Sequence, residues 1–486
     1  MAFTKNPVSA TYDTKRFDFA IAPQQRSGAT PLKDARLLNM MIEPLVAMTD
    51  TNKRLFVKSR PGLSSAYTVN TGIARGIYYW VVSGVGYAIT VCADKVYTNG
   101  TLLTTLTTTT GEVGFTEFVS SVGVVTLVMV DGTKGYVFTS PVVAPTAIVD
   151  ADFPTPHIPM PIFMDGYLFL AKPNTQDIYN SNLDDPSLWT AGDYISAELY
   201  PDNIVAISKN NNYIYAIGGG SVEYFYDAAT AVGSPLARHD SAAQQFGTLA
   251  PASVANTDNS VVLVGETGNG GHTVWTISGF KEKEIGTAAI KGILLTEGSA
   301  LATAVAHCIR VSGQKLYILT LTSRTLVYSF DTETWSEWAS GSTGTSAFIG
   351  SHATDGPNGA AFLLNRQGTT VYSVSEAYFT DAGAAFLCQI TTPKYDFESF
   401  NKKFMSRLAL IGDVPDPTGT DNSVIVQWSD DDYVTWSPSR TLSFNYDFPV
   451  MRQLGEFRRR AFRFSYPLPH LLRLEGFEVD YNKGSQ

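Results

Sequence analysis

The densest chemistry in the 486-residue chain is basic: Arg452, Arg458, Arg459, Arg460 and Arg463, interleaved with Phe457, Phe462 and Phe464. Guanidinium forks pair bidentately with carboxylates and phosphates, so such a run suits an acidic partner or a nucleic-acid backbone. Strand alternation, however, puts Arg459 and Arg463 on one face and Arg458 and Arg460 on the other. The charge is then split and no single phosphate-binding stripe forms. Two readings stand: a sheet edge guarded by charge, or a subunit interface in which Arg458, Arg459, Arg460 and Arg463 meet an acidic neighbour. A formal charge of −10, from 35 basic and 45 acidic residues, disfavours a nucleic-acid coat, which draws affinity from clustered Lys and Arg.

Ser429 to Trp436 is close to the SxDxGxxW hairpin of sialidase propellers, with Tyr433 at the Gly position and Asp431 at the Asp. Only one copy exists, and the expected role is a structural turn. Gly218-Gly219-Gly220 and the glycine-rich run Gly265 to Gly271 are followed neither by a helix pattern nor by Lys-Ser/Thr, so both read as hairpin turns rather than phosphate cradles. His272 and His307 are isolated, without HxH or HxxxH spacing, and Cys92, Cys308 and Cys388 lie far apart without a CxxC pair. Neither a metal site nor a disulfide framework is indicated, no GxSxG motif is present, and no cofactor is expected. A glycosidase needs only two suitably separated carboxylates, but the acids cluster in turns. The expectation is therefore a non-enzyme, with a carbohydrate-active propeller enzyme or lectin acting on host surface glycans as the alternative.

The elements that would position these residues are repeated. From Asn203 to Asp227 the chain runs NIVAIS, KNNN, YIYAI, GGG, SVEYFYD, three apolar runs joined by Asn and Gly clusters, the signature of antiparallel strands with tight turns. A strand followed by a second with a Val-Tyr, Ile-Tyr or Val-Trp centre recurs with starts near Tyr87, Val125, Tyr167, Tyr213, Val261, Leu316 and Ala361. Steps of roughly 40 to 55 residues are the period of four-stranded propeller blades, and about seven are expected. These starts are read as the first, inner strands, whose apolar character leaves little room for central chemistry.

The fold class expected is all-β: a β-propeller over residues 71–383, a C-terminal β-sandwich over 384–486, and an N-terminal arm over 1–70 packing with that sandwich. The arm's prolines forbid long helices, and its apolar segment DARLLNMMIEP reads as a strand completing the C-terminal sheet. Two further stretches stand out: a proline-rich connector from Pro141 to Pro161, and an insertion from Ala228 to Ala252 with Arg238, His239 and Asp240, read as a functional surface. Charged residues are only 16%, below the usual quarter, which hints that much of the surface meets other subunits. No apolar run approaches the length of a membrane span, so no membrane insertion and folding in a reducing cytoplasm are expected.

The middle of the chain carries a resemblance. DPSLWTAGDYISAELYPDNIVAI (Asp185 to Ile207), NNYIYAIGGGSVEYFYDA, FGTLAPASVANTDNSVVLVGETGNGGHTVWTISGFKEKEIGTAAI and the earlier RLLNMMIEP resemble the tail hub, or nozzle, proteins of short-tailed bacteriophages, also called packaged-DNA stabilisation proteins. Those motifs are scaffold features, so no active site is carried over. The resemblance implies a virion tail protein assembled in the host bacterial cytoplasm. It also implies a homohexamer below the portal-adaptor ring that retains packaged DNA and forms its exit channel, passing DNA only transiently. Tail fibres or spikes, and a tail needle or plug, would dock on it.

Overall fold

Two-residue turns with both positions at positive φ, such as Ser83-Gly84, Asn99-Gly100 and Asp165-Gly166, match the right-handed twist of flanking strands and close hairpins tightly. Apolar runs between such turns fold into antiparallel meanders. The computed structural model describes residues 13–19, 35–43, 55–70, 72–230, 232–266, 270–311, 313–419, 422–446 and 449–484. Much of the expected arm, including Pro23, Gly28, Pro31 and Pro44, lies outside them, as does 267–269 of the second glycine run. The chain divides into two units, residues 61–333 with 346–383, and residues 1–60 with 334–345 and 384–486.

In the first unit, five successive four-stranded sheets begin with Ala74–Val82, Gly114–Val119, Ile162–Met164, Ile204–Asn210 and Ala255–Thr257. Three more strands of a meander follow, Val305–Val311, Gln314–Thr320 and Thr325–Ser329. The last sheet, Gly350–Asp355, Ala361–Asn365 and Thr370–Ser375, is completed by Gly62–Thr68 from far upstream. The result is a six-blade propeller arrangement, with the three strands from Val305 to Ser329 between the fifth sheet and the last, a blade count slightly different from the about seven expected. Residues 61–70, read as the end of the arm, thus close the ring instead, because the last meander lacks a fourth strand of its own.

Adjacent sheets cover one another. Ile89, Val91 and Val96 of the first blade bury against Leu127, Met129 and Phe138 of the second, and Tyr215, Val222 and Tyr224 of the fourth against Val261, Leu263 and Ile277 of the fifth. Each such Val, Leu or Ile contributes about 1.5–3 kcal/mol. Tyr87, Val125, Tyr167, Tyr213, Val261, Leu316 and Ala361 all lie in second strands. The repeat therefore located the most apolar layer of each blade and missed the inner one.

The second unit is a sandwich. One sheet contains Met40–Ile42, Val57–Ser59, Arg473–Lys483 and Lys403–Gly412, with Asp13–Asp18 on Arg473–Lys483. The other contains Thr334–Ser340, Arg36–Leu38, Cys388–Thr391, Ala461–Tyr466 and Ser423–Ser429. The apolar arm segment serves both sheets, crossing between them at Asn39 (φ 54°). Asn39 Nδ2 donates to the Leu387 carbonyl at 2.8 Å, and its Oδ1 accepts from Ala339 N at 2.8 Å and Arg60 Nε at 2.9 Å.

Candidate functional site

The inner strands of the propeller surround an axial cavity of about 970 Å³. Their sequences are less apolar than the second strands because one face of each looks into this space. Each inner strand is tied to a neighbour by side-chain bonds. Tyr78 Oη donates to Glu117 Oε1 at 3.1 Å, joining blades one and two. Ser208 Oγ donates to Asn256 Oδ1 at 2.7 Å, joining four and five. The Arg310 amide donates to Asp355 Oδ1 at 2.6 Å, and Tyr79 N donates to Thr354 Oγ1 at 3.3 Å, carrying the chain of contacts on to the first blade. Lys209 Nζ donates to the Phe163 carbonyl at 2.8 Å, and burial lowers its pKa.

A polar sector lies where Val305–Val311 meets Gly350–Asp355. His352 Nε2 sits 2.7 Å from Glu112 Oε2, and its Nδ1 is 2.9 Å from Ser351 Oγ. The His307 ring lies 5.3 Å away. Burial first, and the neighbouring His352 second, push the His307 pKa down to about 3, so its imidazole is neutral in ordinary conditions. Its Nε2 has no hydrogen-bond partner. Burial likewise raises the adjacent Cys308 thiol, which keeps it protonated and unreactive.

These groups tie neighbouring blades to one another across the cavity wall. Glu112 is engaged by His352, Glu117 by Tyr78, and Asp258 by Arg310 and by Lys315 at 2.7 Å. A glycosidase needs one carboxyl free to donate a proton and another free to attack or activate water. Among the described residues no group of three or more His, Cys, Asp or Glu is placed to hold a metal. The sector leaves no local sequence signal because its residues are far apart in the chain, with His307 and His352 on strands without a strong apolar pattern and Glu112 in the loop before Gly114–Val119.

The arginine run is divided by the fold more sharply than alternation implies, since its strand begins only at Ala461. Arg460 is 1% exposed; its Nε and Nη2 donate to the two Asp430 oxygens at 2.7 and 2.8 Å, and Nη1 to the Leu454 carbonyl at 2.7 Å. It cannot offer its fork to another subunit. Arg463 lies 3.7 Å over the Trp436 ring, and burial lowers its pKa to about 10. Arg458 and Arg459 are the exposed members: Arg458 Nη1 donates to the Phe400 carbonyl at 2.7 Å, and Arg459 Nη2 to Asp432 Oδ2 at 3.0 Å.

The remaining motifs are turns. Asp431 accepts from Thr435 Oγ1 at 2.5 Å, from Thr435 N at 2.9 Å and from Ser429 Oγ at 2.8 Å, which hold its pKa down at about 2. Tyr433, at the box's Gly position, takes φ 69°. In the Gly218–Gly220 turn, Asp202 Oδ2 accepts from Gly220 N and its Oδ1 from Ser221 Oγ, both at 2.8 Å. A carboxylate fills the place a phosphate would need. The insertion after Asp227 is largely packed: Leu236–Arg238 is the fourth strand of its blade, and Gln244, Phe246, Thr248 and Ala250 are buried. The proline-rich connector likewise includes a blade strand, Thr146–Ala147.

The resemblance-bearing residues are joints of this scaffold. Glu223, 2% exposed, accepts from Leu199 N at 2.9 Å and Tyr200 N at 3.3 Å. Trp189 Nε1 donates to the Pro186 carbonyl at 3.0 Å. Thr248 Oγ1 donates to the Val264 carbonyl at 2.6 Å, and Ser253 Oγ accepts from Val264 N at 3.1 Å. A family model described as Phage_stabilise, Bacteriophage P22 Gp10, beta-propeller, matches residues 27–361. The chain belongs to this family. Phage_stabilise membership makes it a structural protein of a phage tail and a virion component.

No curated protein matches the chain. Among solved structures, the N-terminal domain of Nup159 is similar at 10% identity and a TM-score of 0.39, over 68% of this chain and 97% of that one. An ancestral GH74 enzyme is similar at 10% identity and a TM-score of 0.39, over 71% of this chain and 57% of that one. Likenesses this distant say nothing about activity.

Proposed function

We propose that the chain is the tail hub, or nozzle, of a short-tailed phage. Six copies form a ring below the portal-adaptor ring, retain packaged DNA and then line its exit, while tail fibres or spikes and a needle or plug dock on the ring. Assembly takes place in the host bacterial cytoplasm. The observation that carries this reading is the Phage_stabilise match across residues 27–361, whose motif residues are scaffold joints. The interior chemistry supports a non-catalytic role, since the cavity acids named above are each engaged by neighbours. The DNA path runs between copies, because a cavity of about 970 Å³, the volume of a cube roughly 10 Å on a side, is narrower than a duplex whose major groove alone is about 12 Å wide. An acidic chain suits a passage that does not grip phosphate. Arg458 and Arg459 are proposed as subunit contacts; Arg460 and Arg463 act from within the sandwich by fixing the strand beside them. Co-expression of the full chain with portal and adaptor, followed by electron microscopy, should show a six-fold ring on the adaptor. A chain that never joins adaptor rings overturns the reading.

A further inference from the structure

One side of the propeller unit carries three apolar, charge-free loops on its first two blades, bordered by Asp184 of the third. Hairpins between the first and second strands, and between the third and fourth, emerge on the same side of an antiparallel meander. On that side lie 81–87 (VVSGVGY), 119–126 (VSSVGVVT) and 139–147 (TSPVVAPTA), none containing Asp, Glu, Lys, Arg or His. Val81, Val85, Val122, Val124, Val142 and Val143 are between 53% and 83% exposed.

The three loops adjoin. The Tyr78–Glu117 bond sets the first two inner strands side by side just before both turn over. Thr98 Oγ1 donates to the Pro141 carbonyl at 2.7 Å, holding the third loop against the first blade. Ser121 N donates to Asp184 Oδ1 at 2.8 Å, anchoring the second loop on the third blade. The second loop is also closed on itself, Ser120 N donating to the Val124 carbonyl at 3.0 Å.

We infer that this face is an interface between copies of this chain. The inference rests on the self-association proposed above and adds the surface that performs it. With the flanking Val119, Val125 and Leu183, the exposed fractions amount to about five whole aliphatic side chains, roughly 500 Å² of apolar area. Homo-oligomer interfaces are about 65% apolar, so such a core implies about 800 Å² per partner, the size of a standard stable interface. Permanent contacts between copies are the class that tolerates an uncharged apolar patch, since the patch is never exposed after assembly. A lipid surface fits less well: the loops offer neither the Trp and Phe anchors nor the basic residues that interfacial binding uses.

The test is sedimentation velocity on the full chain, comparing wild type with Val122→Asp/Val124→Asp and, separately, Val142→Asp/Val143→Asp. Val434→Asp, at a residue 67% exposed in the sandwich unit, is the control, and circular dichroism melting checks that each variant folds. Wild type and control should associate, with each double variant weakened at least about tenfold, the loss of one interface hot spot. Folded double variants that associate like wild type overturn the surface and leave the ring reading standing. A wild-type assembly that is only a dimer, broken by these variants, supports the surface and counts against the six-copy ring. Wild type that stays monomeric but floats with phosphatidylcholine vesicles, in a manner lost in the variants, overturns the interface in favour of a lipid surface.

Discussion

Arg460 and His307 show how far residue type alone can be trusted. Four arginines within six positions suit a guarded sheet edge or a subunit interface, yet the bidentate pair with Asp430 and the Phe457 ring, 4.3 Å from the guanidinium, take Arg460 inside. Truncating a buried ion pair usually costs about 3–5 kcal/mol. Because Asp430 stays partly hydrated, Arg460→Ala should cost about 2–3 kcal/mol in urea denaturation. Arg458→Glu/Arg459→Glu should move stability by less than about 0.5 kcal/mol while weakening subunit association; intact association would refute the contact. His307 makes a pH prediction. Its folded pKa of about 3 lies below the ordinary value of 6.5, so the stability it contributes is full above pH 6.5 and falls as pH drops toward 3. Between pH 6.5 and 4, His307→Gln should flatten the decline; His157, also lowered by burial, leaves a residual slope. An unchanged slope would show that His307 does not open on unfolding.

At the scale of elements, apolar runs were legible and polar ones were not. Second and third strands, buried between neighbouring blades, read directly from Val, Ile and Tyr content. Inner strands divide their faces between core and cavity, so their pattern is diluted by residues such as Glu117, Lys209 and His307. Pairings across long sequence distances, Gly62–Thr68 on Thr370–Ser375 and Arg36–Leu38 on Cys388–Thr391, leave no local trace at all. Glycine roles also separate at this scale. A Cβ on Gly247 would lie 2.3 Å from the Gly218 carbonyl oxygen and 2.4 Å from the Gly219 carbonyl carbon, whereas one on Gly220 meets nothing within 4 Å. Gly247→Ala should therefore destabilise by about 1–3 kcal/mol, as overpacking does, and Gly220→Ala by less than about 0.5 kcal/mol. Thermal melts of both variants decide it; a large loss at Gly220 would restore a special role to that turn.

For the whole molecule, the repeat and the sandwich were readable because each follows from burying apolar faces, while the blade count was not, because closure recruits a distant strand. The candidate site was the least legible part. The axial cavity is made of residues from seven separate stretches, and no spacing in the chain announces their meeting. Function was legible through resemblance, which rests on scaffold joints such as Glu223 and Thr248 rather than on reactive groups. The central claim is that this scaffold works as a ring on a portal complex and not as an isolated catalyst. Electron microscopy of the full chain co-assembled with portal and adaptor tests it most directly. Six copies in a closed ring with the DNA path between them are expected. Monomers that never associate with the adaptor would contradict it.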